Sequence, residues 1–251
     1  MLIETLGWAG LATALAGALT AGFVTGLAGF GTGLVAAGFW LHALPAAIVP
    51  PMVVCASVAA QLVALATVRH RFDARGLAPY LVGAVIGVPL GVMALERAAP
   101  DLLRGIVGGF LVGYAIVQLS GLIRPSVGAW GGRAADAVVG TGGGILGGFA
   151  GLSGPLPLIW LQLRGGPPDA QRAVYQPFNL LVLAASALAM AVAGRYDATV
   201  LWGLVLCLPA TVAGAWAGAH AYRRIDAATF RLVVLTLLLL SGAILLGREV
   251  L

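Results

Sequence analysis

The chain has 251 residues, of which 61% are hydrophobic and only 9% are charged, and its mean hydropathy is +1.02. This composition excludes a water-soluble domain and indicates an integral membrane protein, with the lipid bilayer as its main surroundings. The formal net charge of +5 comes from 14 arginines against nine acidic residues, and the arginines lie in short segments between apolar stretches. That distribution is typical of topology signals and argues against a nucleic-acid-binding patch.

Eight apolar segments follow one another, which predicts an all-α polytopic membrane protein. Long apolar runs favour helices, because the strands of a membrane barrel would alternate apolar and polar residues. One helical crossing takes about 20 residues, so the first and fifth segments are too long for one pass and tight for two. The segments cover residues 6–41, 46–68, 77–95, 102–123, 134–163, 173–193, 199–222 and 230–246.

Both long segments are interrupted by a glycine-rich stretch of similar pattern. Glycines in this arrangement end a helix, leave backbone N–H groups without a partner and let a new helix start within a few residues. We therefore predict that each long segment is a hairpin of two short helices, with its tip at membrane depth. The two tips read Gly26-Leu27-Ala28-Gly29-Phe30-Gly31-Thr32-Gly33 and Gly148-Phe149-Ala150-Gly151-Leu152-Ser153-Gly154-Pro155.

The two hairpins predict an internal duplication. Each hairpin is followed by three apolar segments, and Pro89 in the third segment matches Pro209 in the seventh. A general excess of small residues would imitate part of this similarity. We predict two transmembrane repeats, over residues 1–125 and 126–251.

The arginines predict the orientation in the membrane. If each long segment crossed once, the arginines would divide seven to seven between the faces; if each is a hairpin, they divide ten to four. The second division satisfies the positive-inside rule and predicts a bacterial-type inner-membrane protein with both termini outside and two inverted repeats whose tips meet near the midplane. The ten predicted cytoplasmic arginines are Arg69, Arg71, Arg75, Arg124, Arg133, Arg164, Arg172, Arg223, Arg224 and Arg231, and the other four are Arg97, Arg104, Arg195 and Arg248.

The two tips are the predicted binding site. A half-helix that begins at a buried tip directs N–H groups and its positive dipole end into the space between the repeats, where an anion fits. The alternative is that the glycines only allow close helix packing. The predicted substrate contacts are Gly29, Gly31, Thr32 and Gly33 in the first tip and Gly151, Ser153 and Gly154 in the second.

Polar side chains within other apolar segments extend the predicted site, because polar groups are costly in lipid and tend to face cavities. Gln61 lies in the second segment, and Gln176 and Asn179 lie in the sixth. Hydrogen bonding between helices is the alternative role for these amides. Arg172 heads the sixth segment, where it either holds an anion at the cytoplasmic mouth or only sets topology.

The apolar segments carry no acidic pair, no metal-ligand spacing and no nucleophile motif. We therefore expect no enzyme, no metal and no cofactor. The chain also lacks a phosphate-binding lysine loop, so we expect protons or the membrane potential to drive transport.

The tip motifs resemble those of one known family. Gly26-Leu27-Ala28-Gly29-Phe30-Gly31, Gly151-Leu152-Ser153-Gly154-Pro155-Leu156 and Gly165-Gly166-Pro167-Pro168 followed by Arg172 resemble the sulfite exporter TauE/SafE family, also called the 4-toluene sulfonate uptake permease family. The resemblance covers nearly the whole chain. It implies a permease for a small sulfur-containing anion such as sulfite, thiosulfate or an organosulfonate, with the tips as its site.

Two classes of function stay open at this point. The first is a secondary transporter whose repeats rock around a midplane site and alternate its access. The second is a passive anion channel or a structural subunit, in which the glycines only pack. Gly83, Gly87 and Gly91, spaced by four, pack helices within one protomer or between two, so a homo-oligomer is also open.

Overall fold

The computed structural model describes residues 2–67, 72–121, 123–125, 127–221 and 227–250, without the side chains of 2–6, 227, 228, 230 and 248–250. Within these ranges the backbone forms ten α-helices and one short 3-10 helix, and no strand. The predicted all-α membrane class is confirmed. The α-helices are α1 Leu2–Ala28, α2 Thr32–Ala43, α3 Val49–Thr67, α4 Ala74–Arg97, α5 Pro100–Leu119, α6 Gly132–Ala150, α7 Pro155–Arg164, α8 Pro168–Val192, α9 Ala198–Ala221 and α10 Ala227–Val250.

Six of the helices in the described ranges are long and apolar enough to cross a membrane. Helices α2 and α7 are much shorter, with 12 and 10 residues. At 1.5 Å per residue they span about 18 and about 15 Å, roughly half of a hydrocarbon core about 30 Å thick. The six long helices are α1 from Gly7, α3 with its preceding 3-10 turn from Ala46, α4, α5, α8 and α9.

Each long apolar segment folds back on itself, as the sequence predicts. In the first hairpin, Trp40 of α2 donates its indole N–H to the carbonyl of Ala14 in α1, at 2.9 Å. In the second, Arg164 at the end of α7 donates to the carbonyl of Gly132 at the start of α6, at 2.7 Å. The base of each hairpin is therefore closed by a side chain of its short arm.

Glycines let two pairs of helices pack backbone against backbone. A Cβ at Gly87 of α4 would lie 2.2 Å from the carbonyl oxygen of Thr141 in α6, and one at Gly26 of α1 would lie 2.0 Å from that of Ala215 in α9. Gly83 and Gly91 meet α6 in the same way. The three glycines of α4 thus pack helices within one protomer, which resolves one of the alternatives left by the sequence.

The helix contacts are paired across the two halves. In a duplication, α1 to α5 would correspond in order to α6 to α10, so α1 corresponds to α6 and α4 to α9. The contact of α1 with α9 then has its counterpart in the contact of α6 with α4. The contacts of α3 with α8 and of α5 with α10 each join a helix to its own counterpart. This pattern supports the duplication, while the repeats over residues 1–125 and 126–251 and their inverted orientation stay predictions.

Most predicted cytoplasmic arginines that the structure describes lie at one end of the bundle, here called the arginine end. The starts of α4, α6, α8 and α10 meet the ends of α5 and α7 there: Asp73 N–H donates to the Ala173 carbonyl, Val127 N–H to the Leu163 carbonyl, and Arg231 to Gln118. Arg69, Arg71, Arg223 and Arg224 lie outside the described residues, as does the side chain of Arg248. Which membrane face this end occupies stays a prediction.

Candidate functional site

The first tip is a tight turn built on two glycines. Gly29 and Gly31 have φ of 80° and 114°, the left-handed region that glycine enters without strain. The hydroxyl of Thr25 in α1 accepts the Thr32 N–H at 2.7 Å and lies 2.5 Å from the Thr32 hydroxyl. The N–H and the hydroxyl of the buried Thr32 are therefore both hydrogen-bonded to Thr25 inside the tip.

Two backbone donors remain at the start of α2. The first regular helical bond joins the Val35 N–H to the Gly31 carbonyl at 3.0 Å. The N–H groups of Gly33 and Leu34 precede it, so they have no acceptor within the helix. They lie at the positive end of the α2 dipole, which favours an anion.

The second tip also turns at a left-handed glycine, but the first turn of its short helix offers fewer backbone donors. Gly151 has φ of 72°, and its N–H and that of Leu152 bond back to carbonyls of α6, which caps that helix. The Ser153 hydroxyl is fully buried and bonds to the Asn179 amide oxygen of α8. Pro155 and Pro157 remove two N–H groups from the first turn of α7. The second tip is thus the poorer anion receptor.

The two tips touch each other, as the sequence predicts. A Cβ at Gly33 would lie 2.2 Å from the Gly151 carbonyl oxygen. Beside this contact, a void of about 10 Å³ is bordered by both tips and by Asn179, which is room for one water at most. The passage between the tips is therefore closed in this conformation.

A cavity of about 300 Å³ begins at the first tip and reaches the surface at the arginine end, beside the exposed Pro168 and Asp169. Helices α1, α2, α5, α7, α8 and α10 contribute to its wall. Of the predicted site residues, Gly31 and Arg172 line it. Its polar lining residues are Tyr114, Gln118, Gln162, Asp169, Arg172, Tyr175 and Arg231, and the rest of its wall is glycine, proline or apolar.

Arg172 lies at the inner part of this cavity. Helix α8 begins at Pro168 and not at Ala173, because proline suits the first helical position, so Arg172 lies in the second turn and not at the head of the helix as predicted. Only 8% of Arg172 is exposed, and its Nε donates to the Gln176 amide oxygen at 3.1 Å. A Cβ at Gly29 would lie 2.8 Å from Nη2 of Arg172, so the guanidinium occupies the space that a side chain there would take.

Tyr175, one turn further along α8, fixes the end of α1. Its hydroxyl donates to the Ala28 carbonyl at 3.0 Å, and its ring packs edge-on against Phe30 with centroids 5.8 Å apart. Tyr175 thus bonds α8 to the end of α1, beside the contact of Arg172 with Gly29.

Predicted amides lie behind the tips, where α3 crosses α8. Gln61 Nε2 donates weakly to the Gln176 carbonyl, at 3.5 Å. Three buried atoms here, Gln61 Oε1, Gln176 Nε2 and Ser57 Oγ, have no hydrogen-bond partner among the described residues. Each such group costs about 1–3 kcal/mol, so this crossing is a polar spot that the helix packing alone does not satisfy.

A group of four hydrogen-bonded cavity residues on α5, α7 and α10 was not predicted as part of the site. Arg231 Nη2 donates to the carbonyl and the amide oxygen of Gln118, at 2.9 and 2.6 Å. Gln118 Nε2 in turn donates to Gln162 Oε1 at 3.2 Å and to the Tyr114 hydroxyl at 3.4 Å. The sequence does show these polar residues, each close to the end of an apolar segment. They form a group only when three helices that are distant in sequence pack together, which the sequence alone does not indicate.

Comparison with known proteins agrees with this architecture. The family model for the sulfite exporter TauE/SafE matches residues 14–245, which include both hairpin tips and every cavity residue named above. Neither the search of curated proteins nor the search of solved structures finds a match. Because the family match covers nearly the whole chain, the protein belongs to the sulfite exporter TauE/SafE family of membrane transporters.

Proposed function

We propose that the protein is a secondary transporter that moves a small sulfur-containing anion, such as sulfite, thiosulfate or an organosulfonate, across the inner membrane by alternating access. The observation that carries the proposal is Arg172, a buried guanidinium lying against Gly29 where the cavity meets the first tip. Family membership supports the transporter class.

The surroundings of Arg172 favour an anion next to it. A charged group that is only 8% exposed loses most of its hydration, and an anion in the adjoining cavity would interact strongly with it. The first turn of α2, whose Leu34 lines the same cavity, adds the positive end of a helix dipole. An oxyanion bound there would receive charge-assisted hydrogen bonds from the guanidinium.

The closed contact between the tips supports alternating access over an open pore. With Gly33 against Gly151, an anion in the cavity is blocked from the opposite end until the tips separate. If the arginine end is cytoplasmic, as the positive-inside rule predicts, this conformation faces inward. Release to the other side then requires one hairpin to move relative to the other.

The decisive experiment is flux into proteoliposomes of the purified protein. Sulfite, thiosulfate, sulfate, taurine and aromatic sulfonates are tested in turn, with an imposed pH gradient or potential as a variable. We expect saturable uptake of one sulfur anion, stimulated by the same anion on the opposite side. Flux that does not saturate would contradict the carrier and favour a channel, and a folded protein silent in every condition would favour a structural subunit.

Arg172→Gln is the variant that tests the proposed binding site. Loss of the guanidinium removes the cavity's most buried charge, so we expect the half-saturation concentration to rise at least tenfold, equivalent to about 1.4 kcal/mol of binding free energy. Arg97→Gln is the control, because Arg97 lies at the opposite end and its side chain donates to the Met93 carbonyl of its own helix. Equal kinetics in both variants would remove Arg172 from the site.

A further inference from the structure

The crossing of α3 and α8 contains buried polar atoms that the function proposed above does not use. Ser57, Gln61 and Gln176 are each at most 1% exposed, and Ser57 Oγ, Gln61 Oε1 and Gln176 Nε2 have no hydrogen-bond partner among the described residues. Buried polar groups without a partner cost free energy, so three at one crossing indicate more than packing. We infer that these side chains form a second anion site, between Arg172 and the second tip, which takes a singly charged oxyanion in transit.

The three side chains adjoin Arg172 on one side. Gln176 lies one turn beyond Arg172 in α8, and its amide oxygen accepts from Arg172 Nε at 3.1 Å. Its backbone carbonyl accepts from Gln61 Nε2 at 3.5 Å, so the end of the Gln61 side chain reaches the same turn of α8. Ser57 lies four residues before Gln61 in α3, which places both side chains on one face of that helix.

The same side chains adjoin the second tip on their other side. Val53 precedes Ser57 by one turn of α3, and a Cβ at Gly151 would lie 2.5 Å from Val53 Cγ1. Ser57 is therefore one helical turn from the point where α3 meets the second tip. The Gly151 carbonyl in turn lies against Gly33, in the contact that closes the passage. Polar groups thus follow one another from Arg172 to the closed contact, and they become accessible when the tips separate.

The crossing offers hydrogen-bond donors without a charge. Gln176 Nε2 carries two N–H donors and Ser57 one O–H, and Gln61 Nε2 has a second N–H besides its weak bond. Such neutral donors hold an anion without the strong attraction of a cation, as a site of transit requires. The acceptor in the group, Gln61 Oε1, fits a hydrogen of the anion or of a water that accompanies it.

The neutral character of the crossing limits the charge of its ligand. Among the buried side chains that the structure describes, Arg172 is the one that carries a charge. The free energy needed to take an ion out of water rises with the square of its charge, so donors that suffice for a monoanion leave a dianion far less stable. The expected ligands are therefore hydrogensulfite or organic monosulfonates, and not sulfate.

Ser57→Ala tests the site in proteoliposomes, with methanesulfonate as the transported anion. The substitution removes a hydroxyl that holds no other group, so the melting temperature should be unchanged or higher. We expect the maximal rate of uptake to fall about fivefold, the size of one hydrogen bond. Calorimetry with methanesulfonate should give the native affinity, because Arg172 is untouched, whereas Arg172→Gln should lower that affinity.

Ser186→Ala is the matched control for this variant. Ser186 is fully buried in α8, as Ser57 is in α3, but its hydroxyl donates to the Val182 carbonyl of its own helix at 2.8 Å. Its loss should leave the rate of uptake at the native value.

Methanesulfonate and sulfate form a matched pair for the charge of the ligand. Both are tetrahedral sulfur anions that share three oxygens, and they differ in a methyl group against a further charged oxygen. The native protein should carry methanesulfonate at least about tenfold faster than sulfate, because only sulfate keeps an uncompensated charge at the crossing.

The outcomes separate this inference from the proposed function on which it rests. If methanesulfonate is carried and Ser57→Ala has the same maximal rate as Ser186→Ala, the crossing is not a site and the transporter stands. A lower melting temperature together with a lower rate would assign Ser57 to packing. Sulfate carried as fast as methanesulfonate, or another sulfur anion carried in place of methanesulfonate, would also overturn the inference alone. If the folded protein carries no sulfur anion, both proposals fail.

Discussion

At the scale of single residues, the site depends on atoms that touch across long stretches of sequence. Gly29 and Arg172 were both predicted as site residues, but nothing in the sequence indicated that the guanidinium lies against that glycine. Two features disfavour a side chain at Gly29. Its φ of 80° lies in the left-handed region, and the Arg172 guanidinium occupies the space that a Cβ would take, so the arginine would have to move.

Gly29→Ala should weaken anion binding more than it weakens the fold. The new methyl group would displace the far end of a flexible arginine, while the left-handed φ costs on the order of 1 kcal/mol. We expect a roughly tenfold higher half-saturation concentration with a small loss of thermal stability. Gly109→Ala on α5, where a Cβ meets nothing within 4 Å, is the control. A rise in half-saturation concentration in both variants would contradict this account.

Gln61→Leu separates binding from packing at the crossing of α3 and α8. The amide makes one weak bond of 3.5 Å and leaves its buried oxygen without a partner among the described residues. Removing it should leave the melting temperature unchanged or higher, because an unsatisfied group disappears. Flux should nevertheless fall if Gln61 contacts the substrate as predicted, and unchanged flux would remove Gln61 from the route.

At the scale of helices, sequence reasoning succeeded where local chemistry decides and failed where tertiary packing does. The breaks at Gly29 to Gly31 and at Gly151 follow from glycine's access to left-handed backbone, so the hairpins were predictable. The start of α8 was placed five residues late, since Pro168 to Arg172 read as a polar loop although proline also begins helices. Arg231 could not be assigned to the cavity, because its role depends on α10 packing against α5.

The glycine seam between α4 and α6 should be sensitive to a single methyl group. Because a Cβ at Gly87 would lie 2.2 Å from the Thr141 carbonyl, Gly87→Ala must push two backbones apart, at a cost of about 1–3 kcal/mol. Gly113→Ala is the matched control, a helical glycine of α5 with open space around it. Thermal unfolding in one detergent should show a lower melting temperature for Gly87→Ala only. Equal melting temperatures would mean that the seam is looser than described.

At the scale of the whole molecule, the cavity is open at the arginine end and closed at the tips. This asymmetry, together with the ten-to-four division of arginines, predicts which side of the membrane reaches the cavity. Cysteine labelling in cells measures that side directly, once the chain's own free Cys55 and Cys207 have been replaced.

In a protein without Cys55 and Cys207, Val234→Cys should react with a membrane-impermeant maleimide only from the cytoplasmic side, because Val234 lines the cavity. Saturating substrate should slow the reaction. Ala43→Cys, next to the pocket at the opposite end, should react only from outside. The reverse pattern would invert the proposed orientation, and no protection by a transported anion would place its binding site elsewhere.

The closed tips also determine where in the protein the transmembrane voltage falls. Water in the cavity brings the potential of one compartment up to the first tip, so the voltage falls mainly across the sealed half of the protein, about the 18 Å length of α2. An anion resting beside Arg172 would sense little of that field, while its passage beyond the tips would cross most of it, worth about 2.3 kcal/mol per charge at 100 mV. Membrane voltage should therefore change the rate of turnover far more than the affinity measured from the cavity side.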